Sequence, residues 1–386
     1  MGKHIKVDNI SQYFKAIDDY KLNHYFSRGE CIDYKNTKLY ASALREFNDN
    51  WPTAVEKYRF EVAHQINELQ NNYFYAFAQH HKVSTNLLDF SSSPLVSLYF
   101  ATRWLKDPSE DENGFVYFIP KRKCANINTL FESFNPRYPF IDEVYSWNEK
   151  LIEKLVDILQ PVFINNSYEY HKSLFSTFAY IINYFEIILN DNEKVNSIKN
   201  TIEKAEEDLE SVSSSKNMYI PTKYMVEMKL DISEQIILLF KENNEMVNSY
   251  IDKYYWCVNN KSLKGVINRD VYIYLIFISL SYYIKLWHMP NQFNDDYDFP
   301  FYLIYDVPFI EERVKNQGSL FVYQLWNTSG SFQIIKPEVI IEVSNKQHFQ
   351  EQLNNIGIND KFIFCDFDHI GKYCNDELKH QSPFIL

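Results

Sequence analysis

The spacing of apolar positions changes twice along this 386-residue chain and divides it into three zones. Residues 1–125 mix helical and strand-like patterns and end in GFVYFI, a predicted strand at 114–119. Residues 126–300 repeat apolar side chains every three or four positions with almost no glycine, which predicts long amphipathic helices. Strand patterns then return, at 301 (FYLIY), 319 (SLFVYQLW), 338 (EVIIEV) and 361 (KFIFCD), with a helix predicted over 349–353.

A chain that leaves a sheet, forms helices and returns to strands predicts a split α+β domain. We expect residues 1–125 and 301–386 to be its two halves, and 126–300 to be an all-helical insertion. The apolar spacing within the insertion indicates helix packing and no catalytic motif. We therefore interpret the insertion as a lobe that packs, dimerises or binds a protein partner. Its most apolar run spans 271–284, which is shorter than the roughly 20 residues a bilayer requires, and this predicts a buried helix.

Composition narrows the classes of function. A net charge of −12 argues against a general nucleic-acid coat, because phosphate contacts need clustered Lys and Arg, although a local basic groove stays open. The five cysteines are scattered without a CxxC pair, which indicates neither a disulfide framework nor a zinc site. Because the N-terminus also lacks the apolar core of a signal peptide, we expect a cytoplasmic protein with no membrane partner.

Reactive side chains concentrate in QHHKVSTNLLDFSSSPLVSLYFAT, residues 79–102. Ser93 followed by Pro94 predicts a helix start, whose free backbone amides favour an anion. His80 and His81 have no metal-ligand spacing on their helix, and a structural role for either stays open.

An aspartate in the same stretch is harder to explain structurally. Asp89 lies between Leu88 and Phe90 in a strand-like pattern, where a carboxylate is expected to be paired or hydrogen-bonded. Arg28 and Arg313 are the candidate partners.

The stretch AFAQHHKVSTNLLDFSSSPLVSLYFA resembles the signature of the FRG domain family, in which a helix ending AQH precedes T-x-LLD-[WF]-[TS] and a helix opening N-P-L. YFSRGE at 25–30 is similar to the arginine–glycine strand that names the family, and RVKNQGSLFVYQ, from 313, to its late R-x-x-x-Q-x-G-x-F element. The ending, 341–374, is also similar, so the resemblance covers about 20–125 and 300–375.

The match to the family pattern is incomplete. Matching positions are Arg28, Gly29, His80, Thr85, Asp89, Ser91, Arg313 and Gln317. Departures are Ser27, Glu30, Lys82, Ser84 and Asn86, which stand where the family has phenylalanine, glutamine, glycine, proline and arginine.

The resemblance implies a function. Members are bacterial or phage-borne and occur near antiviral genes, which implies a toxin-like effector of bacterial or phage-related defence acting by abortive infection. The order of motifs is also similar to ADP-ribosyltransferases, which implies NAD as cofactor and a transferase or NAD glycohydrolase site. By that analogy Arg28 contacts the dinucleotide phosphate or ribose, Ser91 holds the nicotinamide ribose, and Gln317 orients the acceptor or stabilises an oxocarbenium-like centre. The late E-x-E or Q-x-E of those enzymes is missing.

We therefore expect residues separated by nearly 300 positions to converge on one site for a nucleotide or dinucleotide. The candidate catalytic residues are Arg28, His80, Asp89, Ser91 and Gln317, and the candidate cofactor-binding residues are Arg28, Thr85, Ser92 and Arg313.

Two alternative functions stay open. In a nuclease-like toxin, Glu30, His80 and Asp89 would gather around a hard cation or a water. In a non-catalytic nucleotide or protein sensor, the insertion would transmit binding. Nucleic acid is not excluded as a partner.

Overall fold

The computed structural model describes residues 2–45, 50–103, 113–132, 138–190, 192–213, 223–243, 247–260, 266–287, 299–308, 310–326 and 332–380. The chain forms two compact units. The first comprises 1–128, 303–324 and 334–386, and the second comprises 129–302 and 325–333. A mixed sheet in the first unit and a large helical region confirm the α+β prediction.

The sheet of the first unit is assembled from both ends of the chain. Its strands are β1 (Lys3–Val7), β2 (Tyr25–Glu30), β3 (Leu87–Ser91), β4 (Gly114–Pro120), β5 (Cys124–Asn126), β6 (Tyr302–Tyr305), β7 (Ser319–Tyr323) and β8 (Val339–Val343). Their spatial order is β1-β8-β4-β2-β3-β7-β6-β5. The β1–β8 pair is parallel, and the ladders from β8 to β6 are antiparallel. β3 therefore lies between the early strand β2 and the late strand β7.

Helices occupy most of the remaining described chain. In chain order they are α1 (Ile10–Asp19), α2 (Ser42–Arg45), α3 (Trp51–Val62), α4 (Glu68–Asn72), α5 (Phe74–His80), α6 (Pro94–Thr102), α7 (Phe140–Tyr145), α8 (Glu149–Asn165), α9 (Ser167–Leu189), α10 (Glu193–Ser213), α11 (Lys223–Asn243), α12 (Asn248–Asn259), α13 (Val266–Trp287), α14 (Glu312–Gln317), α15 (Lys346–Asn355), α16 (Asp360–Phe364) and α17 (Phe367–His380). α7 to α13 confirm the helical prediction for the middle of the chain.

α6 packs closely on β2, and glycine makes the approach possible. A Cβ atom on Gly29 would lie 1.9 Å from the carbonyl oxygen of Ser97 and 2.7 Å from the amide nitrogen of Ala101. A Cβ on Gly114 of β4 would likewise lie 1.9 Å from the carbonyl oxygen of Ala101. The helix that opens with Pro94 is thus seated directly on the strand that carries Arg28.

The second unit has a helical core that contains a buried ion pair. The apolar run at 271–284 forms part of α13 and is almost entirely buried, as predicted. Lys229 of α11 is fully buried, and its Nζ lies 2.7 Å from Oδ1 of Asp270. Burial lowers the pKa of Lys229, although Asp270 opposes the shift. Among the described helices of the chain, none combines the length and apolarity that crossing a membrane requires.

The strand predicted at KFIFCD, residues 361–366, is wrong, because residues 361–364 belong to the helix α16. The side chain of Asn359 accepts a hydrogen bond from the Phe362 amide at 3.1 Å and caps the helix. Cys365 then ends it in the left-handed region at φ 57°. Local capping therefore outweighs the β-propensity of the apolar residues between them.

Replacing Gly29 by alanine tests the close packing of α6 on β2. Because the added Cβ would overlap backbone atoms, which cannot rotate away, Gly29→Ala should lower the free energy of unfolding by about 3 kcal/mol or more. Urea unfolding measures the change. Gly371→Ala is the matched control, since Gly371 lies in α17 with no atom within 4 Å of the added Cβ. The control should gain about 0.5–1 kcal/mol. Equal stabilities for the two variants would contradict the packing.

A double-mutant cycle tests the buried pair of the second unit. Lys229→Met should cost about 3–5 kcal/mol because it leaves Asp270 buried without its counter-charge, and adding Asp270→Leu should recover most of the loss. The exposed pair formed by Lys194 and Glu242, at 2.9 Å, provides the control. There Lys194→Met should change stability by less than about 1 kcal/mol. A similar loss for both single variants in urea unfolding would refute the argument.

Candidate functional site

A pocket of about 280 Å³ lies in the first unit at the boundary between β2 and β3. Of the residues predicted for the site, those lining it are Arg28, His80, Asp89, Ser91, Arg313 and Gln317. The structure thus brings together side chains from β2, α5, β3 and α14. Two predicted residues, Thr85 and Ser92, do not line it.

The pocket lies beside a short ladder of the sheet, the one between β2 and β3. β2 pairs with β4 over the whole of Tyr25–Glu30, and β3 pairs with β7 over the whole of Leu87–Ser91. Between β2 and β3, however, the register contains a single pair, Ser27 with Ser91. The two strands separate beyond that pair, and side chains occupy the gap.

Arg28 bridges this gap. Its Nη1 donates to the Asp89 carbonyl oxygen at 2.8 Å, and its Nε donates to Oε1 of Glu30 at 3.1 Å. Glu30 is buried, and the same oxygen accepts a hydrogen bond from the Leu39 amide at 3.2 Å. These contacts hold the guanidinium in one orientation, while its Nη2 forms no hydrogen bond to any described residue. One edge of Arg28 is therefore available to a ligand.

Asp89 is the acidic residue among the described residues that line the pocket. Its Oδ2 accepts a hydrogen bond from Nε2 of Gln79 at 3.1 Å and lies 3.8 Å from Nη1 of Arg28. The side chain is 48% exposed, and within the described chain Oδ1 has no hydrogen-bond partner. Arg28, and not Arg313, is thus the arginine paired with Asp89.

His80 supplies a buried, neutral imidazole. Burial lowers its pKa from the ordinary 6.5; the nearby Asp89 carboxylate raises it, and Arg313 lowers it further. The ring contacts Phe321 edge-on, with centroids 5.5 Å apart. Its Nε2 is fully buried and has no hydrogen-bond partner among the described residues. The neighbouring His81 lies outside the pocket lining, and its Nε2 is 3.0 Å from Oε1 of Glu311.

The polar groups of Ser91 and Gln317 are already used within the protein. The Ser91 hydroxyl donates to the Gln317 carbonyl oxygen at 2.6 Å and accepts from the Ser93 amide at 2.9 Å. The side-chain amide of Gln317 donates to the Ile363 carbonyl at 3.1 Å and accepts from the Ser319 hydroxyl at 3.2 Å. Both residues join β3 to α14 and α16. This geometry favours a role in building the pocket wall over a role in chemistry.

Thr85 and Ser92 also make internal contacts instead of facing the pocket. Thr85 is fully buried, and its Oγ1 donates to Oε1 of Gln79 at 2.7 Å. The Ser92 hydroxyl donates to the Gly318 carbonyl at 3.3 Å. Gly318 has φ +52°, and a Cβ there would lie 2.6 Å from that hydroxyl.

Two cationic residues besides Arg28, namely Arg313 and Lys82, line the pocket. The guanidinium of Arg313 lies 5.1 Å from the ring centroid of Phe364, and its buried Nε has no hydrogen-bond partner within the described residues. Lys82, in the left-handed region at φ 65°, is exposed and also lines the pocket. Sequence reasoning missed Lys82 and Gln79 as lining residues, although both flank the histidines of the AQHHK stretch. The backbone turn after α5 is what brings Lys82 back to the pocket.

The three residues suggested for a nuclease-like site, Glu30, His80 and Asp89, do not all line the pocket. Glu30 directs Oε1 to Arg28 and to the Leu39 amide, and it does not line the pocket with His80 and Asp89. Within the residues that the structure describes, no cluster of three His, Cys, Asp or Glu side chains is arranged to hold a metal ion.

The family comparison identifies the same part of the chain. Residues 16–110, which include β2, α5, β3 and α6, match the family model of the FRG domain. Arg313 and Gln317 lie beyond the matched range. Comparison with curated proteins and with solved structures found no match.

The lowered pKa of His80 predicts a pH dependence of stability. Below about pH 6.5 the His80 imidazole binds a proton in the unfolded chain but remains neutral in the folded protein. The free energy of unfolding therefore falls as the pH falls. At pH 5.5 this histidine accounts for a loss of up to about 1.4 kcal/mol. In urea unfolding at pH 7 and 5.5, His80→Gln should lose less stability than the wild type over this interval. His24→Gln, at an exposed histidine, should follow the wild type; a His80→Gln slope equal to the wild-type slope would contradict the prediction.

Proposed function

We propose that the FRG domain binds a phosphorylated nucleotide in this pocket and that NAD is the substrate on which it acts, as a glycohydrolase or ADP-ribosyltransferase. One observation carries the proposal: a clamped arginine, a carboxylate with a free oxygen and a buried imidazole with an unpartnered nitrogen line the same small cavity. Perturbed and incompletely satisfied polar groups that converge in a pocket are typical of functional sites.

Charge determines how the ligand would be oriented. The free edge of Arg28 and the guanidinium of Arg313 suit a phosphate, because a planar fork of N–H donors matches two phosphate oxygens. At about 280 Å³ the cavity is slightly smaller than most ligand pockets, which commonly measure about 300–1,000 Å³. It therefore suits one nucleotide half, with the rest of a dinucleotide outside.

The chemistry we propose divides between two side chains. Breaking the N-glycosidic bond releases neutral nicotinamide and leaves positive charge at the ribosyl carbon, which the carboxylate of Asp89 would stabilise while its free Oδ1 accepts a hydrogen bond from a ribose hydroxyl. Water, or an acceptor group of a target, then adds to that carbon and loses a proton. Because His80 lines the pocket and is neutral near pH 7, its imidazole is suited to accept that proton.

This assignment changes two roles implied by the resemblance. Asp89 replaces Gln317 at the oxocarbenium-like centre, because both ends of the Gln317 amide are engaged by Ile363 and Ser319. Ser91 supports the pocket wall instead of holding the ribose, since its proton is donated to a backbone carbonyl. In the cell, consumption of NAD would arrest growth, consistent with an effector of bacterial or phage-related defence.

The substitution of Arg28 by lysine tests the proposal. Arg28→Lys and Arg28→Ala should each lower kcat/KM for NAD by about tenfold or more, because an ammonium cannot keep the bonds to Glu30 and the Asp89 carbonyl while presenting a free edge. Release of nicotinamide and formation of ADP-ribose or ADP-ribosylated protein are measured on purified protein. Arg122→Lys is the matched control, because Arg122 does not line the pocket.

The outcomes separate the alternatives. Full activity of Arg28→Lys would contradict the phosphate clamp. Binding of NAD or ADP-ribose without turnover would favour the nucleotide sensor, and cells that die with intact NAD and degraded RNA would favour the nuclease-like toxin.

A further inference from the structure

The carboxylate of Asp89 is held by a side-chain relay that begins in the backbone. Gln79 of α5 donates from Nε2 to Oδ2 of Asp89 at 3.1 Å. Oε1 of the same amide accepts the hydroxyl proton of Thr85 at 2.7 Å, and Oγ1 of Thr85 accepts a hydrogen bond from the Leu87 amide at 3.1 Å. Four groups thus form one chain from the start of β3 to the pocket.

The direction of this relay follows from the chemistry of the groups. The Leu87 amide is only a donor, so the Thr85 oxygen accepts from it, and the single hydroxyl proton remains for Gln79. The group of Gln79 that meets Thr85 must then be its carbonyl oxygen, which turns the NH₂ group toward Asp89. A backbone amide therefore determines which end of the glutamine faces the carboxylate.

Burial separates Thr85 from the ligand. Its side chain is fully buried and does not line the pocket, whereas Gln79 and Asp89 do. The Thr85 backbone is also held in place, because its amide donates to the Ser42 hydroxyl at 3.3 Å. Thr85 therefore acts on the pocket through Gln79 and not by contact.

We propose that Gln79 is a positioning residue that occupies Oδ2 of Asp89 and directs the free Oδ1 toward the ligand, and that Thr85 sets the orientation of the Gln79 amide. The task assigned to Asp89, accepting a ribose hydroxyl, rests on the proposed function. The relay itself does not.

The first test needs no ligand. The protein is prepared with ¹⁵N-glutamine, and the side-chain amide signal of Gln79 is identified by its absence in Gln79→Leu. Thr85→Ser, which keeps the hydroxyl, should leave that signal where it is in the wild type. Thr85→Val, which is close in shape but has no proton to donate, should move it. An unmoved signal in Thr85→Val, with the variant folded by circular dichroism, would overturn the relay.

The second test measures NAD turnover in a double-mutant cycle. Gln79→Leu and Thr85→Val should each lower kcat on the order of 10 to 100-fold, because a misplaced reacting group loses its alignment, while Thr85→Ser keeps most of the activity. Since Thr85 acts only through Gln79, the double variant should lose no more than Gln79→Leu alone. Multiplicative losses would overturn the proposal. If the wild type neither binds nor cleaves NAD, the proposed function fails, and the amide spectra alone decide the relay.

Discussion

The site depends on the guanidinium of Arg28 lying in the gap between β2 and β3. A sheet with one register pair at its centre loses backbone hydrogen bonds there, and Arg28 restores a link by donating to the Asp89 carbonyl. The arginine is itself held by the buried carboxylate of Glu30. Gly29 allows α6 to pack against the same strand, so the conformation of β2 and the position of Arg28 are determined together.

This arrangement explains why a pocket forms at the middle of a sheet and not at its edge. Polar side chains of β2, α5, β3 and α14 line the pocket at this place. Ser91 and Gln317 join the far side of the gap to α14 and α16. Arg28, His80, Asp89 and Arg313 each keep a polar atom that has no hydrogen-bond partner among the described residues. The ligand we propose, a phosphorylated nucleoside, would meet these groups with an anionic end and with hydroxyl groups.

Two kinds of buried charge serve different purposes in the two units. In the first unit, Glu30 orients an arginine that keeps one edge free. In the second, Lys229 and Asp270 pair within a helical core, where removing either partner leaves an uncompensated charge.

The density of reactive residues between 79 and 102 has a largely structural explanation, because Thr85, Ser91 and Ser92 all make hydrogen bonds within the protein.

The periodicity of apolar residues was sufficient to predict the α+β class, the helical middle of the chain and the strand at 114–119, and the Ser93–Pro94 pair predicted the helix that opens with Pro94. These features depend on local patterns of burial and on backbone restrictions that single residues impose. The sequence motifs also indicated which side chains meet, including Arg28, His80 and Asp89. The strand predicted from the apolar residues at 361–364 was wrong, because Asn359 caps a helix there. The sequence could not determine whether a hydroxyl or amide would face the ligand or another part of the protein, as with Thr85 and Gln317. Hydrogen-bond partners are selected by three-dimensional proximity, and the relevant neighbours come from strands and helices far apart in the chain.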